Sequence, residues 1–227
     1  MMNGCMLDAT VRSHESGRAP PNHRRYWLAL LRRDVDEAER IFTDALARVG
    51  PARVYLRLLA PAQVLSGAEW QRGAITYRDE HFITHHTIRL MRRARRAMVV
   101  PDPTGPVALA AALAQESHRV GLRMVCDFLQ SRNWRVHWLR DNDRAALRGA
   151  VNELRPRAIL FSIGMTEGVE PAHRLIEESR RRRHDGLVIV GGRAVDHDPS
   201  LVAKLGADLT AKHGLQLVRK LQRIETG

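Results

Sequence analysis

Cysteine is nearly absent. Two occur in 227 residues, Cys5 and Cys126, which is no disulfide framework, so a reducing cytoplasm is the expected compartment. Long apolar runs are missing too. The longest, Val107 to Ala114, is the size of one strand, far short of the roughly 20 residues that cross a bilayer. The opening residues lack the apolar core of a signal peptide, so no membrane association is expected. Lysine is scarce: three of the 37 basic residues, Lys204, Lys212 and Lys220, the rest being arginine. The net charge of +12 admits DNA or an acidic partner without selecting either.

What is present divides the chain into four stretches. Residues 1–22 are polar, with Pro-Pro and no sustained periodicity, and read as a disordered tail too short for a helix-turn-helix domain. Residues 23–99 carry helical spacing. Arg24 to Arg32 makes a short first helix. Asp34 with Glu37 forms a capping-box-like start, followed by Val35, Ala38, Ile41, Phe42, Ala45, Leu46 and Val49. Gly50 stops that helix and Pro51 opens the next, which runs to about Trp70 with a kink expected at Pro61. A last helix runs from about Tyr77 to Ala97. Four helices with short joins predict an antiparallel bundle.

Residues 100–106 form a Pro-rich linker, Pro101-Asp102-Pro103-Thr104-Gly105-Pro106. Over 107–227, strand-like and helix-like segments alternate. Strands are expected at 107–113, Trp134–Leu139, Ala158–Ile163, Leu187–Val190 and Ala207–Ala211. Helices are expected at 118–131, Arg144–Leu154, Glu170–Arg183, Pro199–Leu205 and Leu215–Ile224. This alternation predicts an α/β domain with a doubly wound, flavodoxin-like (Rossmann-type) five-stranded parallel sheet.

Ligands of such sheets bind at the carboxyl ends of the strands, and the chemistry-bearing residues cluster there. Gln115-Glu116-Ser117-His118-Arg119-Val120-Gly121 falls between the first strand and the first helix of the sheet domain. An imidazole presented there can coordinate a metal. The Glu116 carboxylate, two residues earlier, can bond the ring nitrogen facing away from that metal. Gly121 would let a flat ligand approach. Ser162 and Gly164 close the third strand, and Gly191-Gly192 the fourth. Together Gly164 and Gly192 would leave a slot between strands, with Ser162 donating a hydrogen bond inside it. In the bundle, Trp70 is followed by nine residues and then Glu80-His81.

The order E-x-H-x-x-G, then a serine some forty residues on, then Gly-Gly, resembles the cobalamin-binding fold across residues 107–225. The W-x9-E-H pattern resembles the helical cap of the CarH-type adenosylcobalamin photoreceptors. This resemblance implies His118 as the lower cobalt ligand, Glu116 through Gly121, Ser162, Gly164, Gly191 and Gly192 around the corrinoid, and Trp70, Glu80 and His81 against its upper ligand. One departure stands out. Those photoreceptors carry, directly after the tryptophan, a histidine that captures cobalt once light has cleaved the upper ligand, and here that residue is Gln71. His81, or His85 one turn along the same face, would serve instead, as would water; His86 points elsewhere by helix geometry.

Two function classes follow. One is a cobalamin-binding, light-responsive transcription regulator, loaded with adenosylcobalamin or hydroxocobalamin. It would act through a partner repressor or another regulatory protein, as the stand-alone AerR and PpaA antirepressors do, with DNA contact through the arginine clusters 92–96 and 180–183 and a homo-oligomer compatible with it. It would not be an enzyme. The alternative is a corrinoid protein that shuttles methyl groups between methyltransferases. Those proteins carry aspartate where Glu116 stands and lack the W-x9-E-H pattern.

Overall fold

The computed structural model describes residues 22–102, 104–113, 119–139, 143–181 and 185–226. Four helical segments come first. Asn22 caps α1 (His23–Leu31) by accepting the Arg25 N–H at 3.0 Å, and Asp34 caps α2 (Val35–Val54) by accepting that of Glu37 at 3.1 Å. Gly50, at φ 75°, interrupts α2 as expected, and Pro51 starts a fresh turn. A π-turn, Tyr55–Leu59, leads into α3 (Ala60–Gln71). The kink expected at Pro61 takes this form for a physical reason. Proline has no N–H, and its ring would strike the carbonyl four residues back. Widening the preceding turn, so that the Ala60 N–H reaches Tyr55 O, relieves the clash. A capping box of Thr76 and Asp79 opens α4 (Tyr77–Arg96). Its apolar seam, with Ile83, Leu90, Met91 and Ala94, packs on Tyr26, Leu30, Phe42 and Leu58 in the bundle core.

The second half contains five parallel strands in the order β2-β1-β3-β4-β5: β1 (Val107–Ala112), β2 (Arg135–Trp138), β3 (Ala158–Ser162), β4 (Leu187–Gly191) and β5 (Leu209–Thr210). Between them run α5 (Val120–Gln130), α6 (Arg144–Leu154), α7 (Val169–Arg181), α8 (Arg193–His197) and α9 (Leu201–Lys204), with α10 (Gly214–Thr226) last. Two expected strands are shorter than their apolar text: β5 keeps only two residues, and β2 loses Trp134 and Leu139. At a sheet edge, pairing on one side alone holds fewer residues in register. Helix α8, directly after Gly191-Gly192, is a helix the sequence did not announce; five residues are too few to carry a periodicity. Among the described residues no helix is long and apolar enough to cross a membrane.

Strand alternation sorts the sheet's side chains onto two faces. Ala108, Ala110, Leu160 and Ile189 join α5, α10 and the bundle in one core. Leu109, Phe161, Val188 and Val190 join residues of α6 and α7 in the other. The small alanines of β1 let α5 lie close to the sheet, and the bundle packs on the outer side of α5.

That contact centres on Asp127, one turn before the end of α5. Its Oδ2 accepts the Tyr55 hydroxyl at 2.7 Å, its Oδ1 lies 3.2 Å from Arg95 Nε, and Arg95 also donates to Gln130 at 3.1 Å. Burial pushes the Asp127 carboxyl above its ordinary range, against the lowering pull of Tyr55, Arg95 and Arg123, and burial likewise pushes the Tyr55 phenol up. The phenol oxygen also stands 3.0 Å from Met91 O. One hydroxyl proton serves one acceptor: the carboxylate when Asp127 is ionised, Met91 O when a protonated Asp127 donates to the phenol.

Tyr55→Phe leaves a buried acceptor short of a donor, and chemical denaturation is expected to show a loss of about 1–3 kcal/mol. Because the folded state holds the Asp127 proton more tightly than the unfolded chain does, this group's stabilisation is full at low pH and lost as pH rises through the raised carboxyl range. The stability of wild type relative to Asp127→Asn therefore falls with rising pH, a trend urea titrations across the acid range will show.

Candidate functional site

In a sheet of order 2-1-3-4-5, the chain leaves β1 toward one edge and β3 toward the other, opening a crevice at the carboxyl ends of these two strands. The last rung there joins Ala112, Ser162 and Gly191 side by side. Only small side chains line it, and Ser162 is half-buried. Leu113 and Arg119 stand on either side of residues 114–118, so Glu116, Ser117 and His118 lie outside the described residues. Arg119 is exposed and Val120, the first residue of α5, is buried. A Cβ built on Gly121 meets nothing within 4 Å, and Gly121 is exposed, so open space lies beside this turn.

The three other glycines differ. Gly164 is half-buried beyond Ser162, and a Cβ on Gly191 would touch only Ala211 O, at 3.9 Å. Gly192 does not leave the slot expected of it. Its φ is 103°, and a Cβ there would stand 2.5 Å from Ile163 O. The Ile163 N–H donates to Gly191 O at 2.8 Å and the Ala194 N–H to Ile163 O at 3.1 Å, so main chain already fills that space.

Above this edge lies the bundle. Met91 O and Asp127 share the Tyr55 hydroxyl, and Arg95 reaches Asp127 and Gln130, so the C-terminal half of α4 packs beside the C-terminal half of α5. From Arg95 back to His81 is about 21 Å of helix, whereas α5 begins only about 10 Å before Asp127. The first half of α4, with Glu80, His81 and His85, therefore extends beyond its contact with α5. Helix α3 closes the same gap from β4: Arg193 Nη1 lies 3.5 Å from where a Cβ on Gly67 would be. Gly67 and Trp70, three residues apart, share one helix face. Trp70 is partly buried against the bundle core.

Glu80 is buried, not part of a solvated face, and its Oε1 accepts the Thr84 hydroxyl at 2.7 Å. Gln63 lies next in that polar chain, 2.9 Å from Thr84 and 2.9 Å from Thr87. His81 Nε2 is 3.1 Å from the Tyr77 hydroxyl. Its Nδ1 is 3.4 Å from Glu80 Oε2 but poorly aligned, and is a buried atom without a hydrogen bond. His85 is exposed. His86 turns to the other flank and stacks on Phe82 at 4.4 Å, where burial lowers its pKa. Among the described residues no three metal-ligating side chains converge.

Sequence reasoning missed Arg193, Tyr55, Asp127, Thr84 and Gln63. Only Arg193 had a local signal, its place directly after Gly-Gly. Of the arginine cluster at 180–183, Arg180 is held at 2.6 Å by Asp208 and Arg181 pairs with Glu177, which makes both part of the fold's own pairing. Two surface depressions, of about 510 and 470 Å³, are lined by residues in and beside α1 and α2 and include none of the candidate site residues.

Two sequence profiles, each described as a B12 binding domain, match residues 23–95 and residues 106–218. The chain belongs to the B12-binding family. The helical profile covers the bundle, and the other covers the sheet with its switch-point crevice. The HTH-type transcriptional repressor CarA of Myxococcus xanthus is 26% identical over 199 residues, 87% of this chain and 67% of CarA. The monomethylamine corrinoid protein of Methanosarcina barkeri superposes with a TM-score of 0.74 at 15% identity, over 88% of this chain and 96% of that one. The methanol:cobalamin methyltransferase complex MtaBC of the same organism gives 0.50 at 14%, over 89% and 79%. At such identities the two structures establish a shared fold.

Gly192→Ala forces a side chain into the Ile163 main chain at a positive φ, and denaturation is expected to show a loss of at least about 1–3 kcal/mol. Gly121→Ala meets open space in a helical turn and is expected to keep the stability or raise it by up to about 1 kcal/mol.

Proposed function

We propose that this B12-binding protein is a light-responsive cobalamin sensor that regulates transcription, through a regulatory protein partner, DNA or both. The observation that carries the reading is the meeting of bundle and sheet edge: Arg193, at the start of α8 after β4, lies against Gly67 on the face of α3 that bears Trp70, and the length of α4 beyond its contact with α5 carries Glu80 and His81 toward the same edge. A corrinoid is a broad flat disc with polar edges, and it needs one surface beneath and another above.

The residues fit such a group. Gly121 has free space beside it, and the Ala112–Ser162–Gly191 rung offers small side chains and one hydroxyl to a ligand's tail. In this reading His118 supplies the lower axial nitrogen and Glu116 fixes its tautomer. Ser117, Arg119 and Val120 frame that loop. Trp70 forms an apolar lid with a single donor. The buried Glu80, oriented by Thr84, offers an acceptor to the upper ligand. His81, with one buried ring nitrogen unpaired, is better prepared than the exposed His85 to act as an upper nitrogen donor. When bound, the corrinoid would supply a cobalt centre whose upper ligand is lost or exchanged in light. Lid position is then the two-state element that cofactor state biases.

CarA is a transcriptional repressor, which supports the regulatory reading. The fold likeness to the corrinoid protein of monomethylamine metabolism favours the alternative, a methyl shuttle.

The test is reconstitution of wild type and His118→Ala with adenosylcobalamin and hydroxocobalamin, followed by absorption spectra in the dark and after green light. Wild type is expected to give a histidine-bound, base-off spectrum that changes persistently on illumination, with an altered oligomeric mass. His118→Ala is expected to lose the histidine-bound form. Acceptance of a methyl group after chemical reduction, with no response to light, would instead establish the shuttle.

A further inference from the structure

We propose that the outer rim of the α4–α5 seam binds the phosphate backbone of duplex DNA. For its biological use this rests on the transcriptional reading, while the charge argument below is independent of the cofactor.

The rim is built by the same contact that docks the bundle. Arg95 and Asp127 form the inner rung, with Gln130 beside them. Within one turn of Arg95 on α4 stand Arg92 and Arg96, four residues apart; on the α5 side Arg123 stands one turn and Arg119 two turns before Asp127. All four are exposed. Arg123 is near enough to Asp127 to be felt by its charge, yet among the described residues none of the four forms an ion pair. Their neighbours differ: Arg89 and Arg93, on the other flank of α4, are both held by Glu39. From residue 85 to 96 and from 119 to 130 the sequence contains one carboxylate, Asp127, and it points inward to Tyr55 and Arg95. Four like charges thus lie on the two helices of one seam, and within those described stretches Asp127 is the single carboxylate.

The chemistry selects the partner. Guanidinium groups match phosphate oxygens with paired donors. An i,i+4 step places them about 6 Å apart along each helix, close to the roughly 7 Å of axial rise over two phosphates of one DNA strand. A protein partner needs an apolar anchor at the centre of its interface. None of the exposed large hydrophobic side chains, such as Val64, Val99, Trp138 and Ile224, belongs to α4 from residue 85 onward or to α5. A rim that is charged without being apolar fits a polyanion held by its backbone, independent of sequence.

The experiment measures binding of a 30-base-pair duplex of arbitrary sequence by the full chain across a salt series, without and with cobalamin. Wild type is expected to show a logarithmic salt slope of about 3 to 4, near 0.9 for each neutralised phosphate. Arg92→Ala with Arg123→Ala is expected to lower the slope by about 2, weakening different duplexes equally. Arg92→Lys with Arg123→Lys is expected to keep it. Arg174→Ala with Arg181→Ala, on α7, is expected to leave it unchanged. The cobalamin spectrum of the alanine pair is read in parallel, so that loss of duplex binding with an intact spectrum supports the rim by itself. A wild-type slope in the alanine pair overturns the proposal. So does binding of poly-glutamate where duplex does not bind, whatever becomes of the cofactor reading.

Discussion

The Asp127 carboxylate, held between Tyr55 of the π-turn and Arg95 of α4, fixes how the helical half of this protein sits on the sheet half. Its partners lie 72 and 32 positions away in the chain. A buried carboxylate tolerates few arrangements, since moving either helix by one turn would leave it without donors in a low-dielectric place. The contact thus acts as a register pin. With Arg95 beside Asp127, α4 extends about three turns further back than α5, and those turns carry Glu80 and His81.

The sheet edge supplies the other half of the candidate site. Strand order places the crevice between β1 and β3. The rung Ala112–Ser162–Gly191 keeps its floor low, and Gly192 brings the start of α8 tight against Ile163. From that helix start Arg193 reaches across to Gly67, so lid and floor touch at one side of the crevice while Gly121 leaves room at the other. The polar chain Glu80–Thr84–Gln63–Thr87 stiffens the lid from within.

Much of this was legible residue by residue. Asp34 with Glu37, Gly50 with Pro51, and Pro101 to Pro106 punctuate the chain through local chemistry, and local chemistry survives folding. The alternation of apolar strands with amphipathic helices required a parallel sheet, and Ser162 with Gly191 at strand ends pointed to its ligand-binding edge. Pro61 was seen as a disturbance, although its resolution as a π-turn depends on how Tyr55 is held. Gly192 was read as making room, whereas the Ile163 main chain occupies that room. Glu80 is buried, and the Thr84 hydroxyl and Gln63 that enclose it come from positions no local pattern marks.

The sequence by itself determined the order of elements, the two-part architecture and the edge at which chemistry collects, because period, turn residues and chain direction are local properties. Tertiary structure alone decided which side chains meet across the seam: Tyr55 with Asp127, Arg193 with Gly67, and the four arginines along one rim. Such pairings depend on the register between helices distant in the chain, and no window of sequence contains that register.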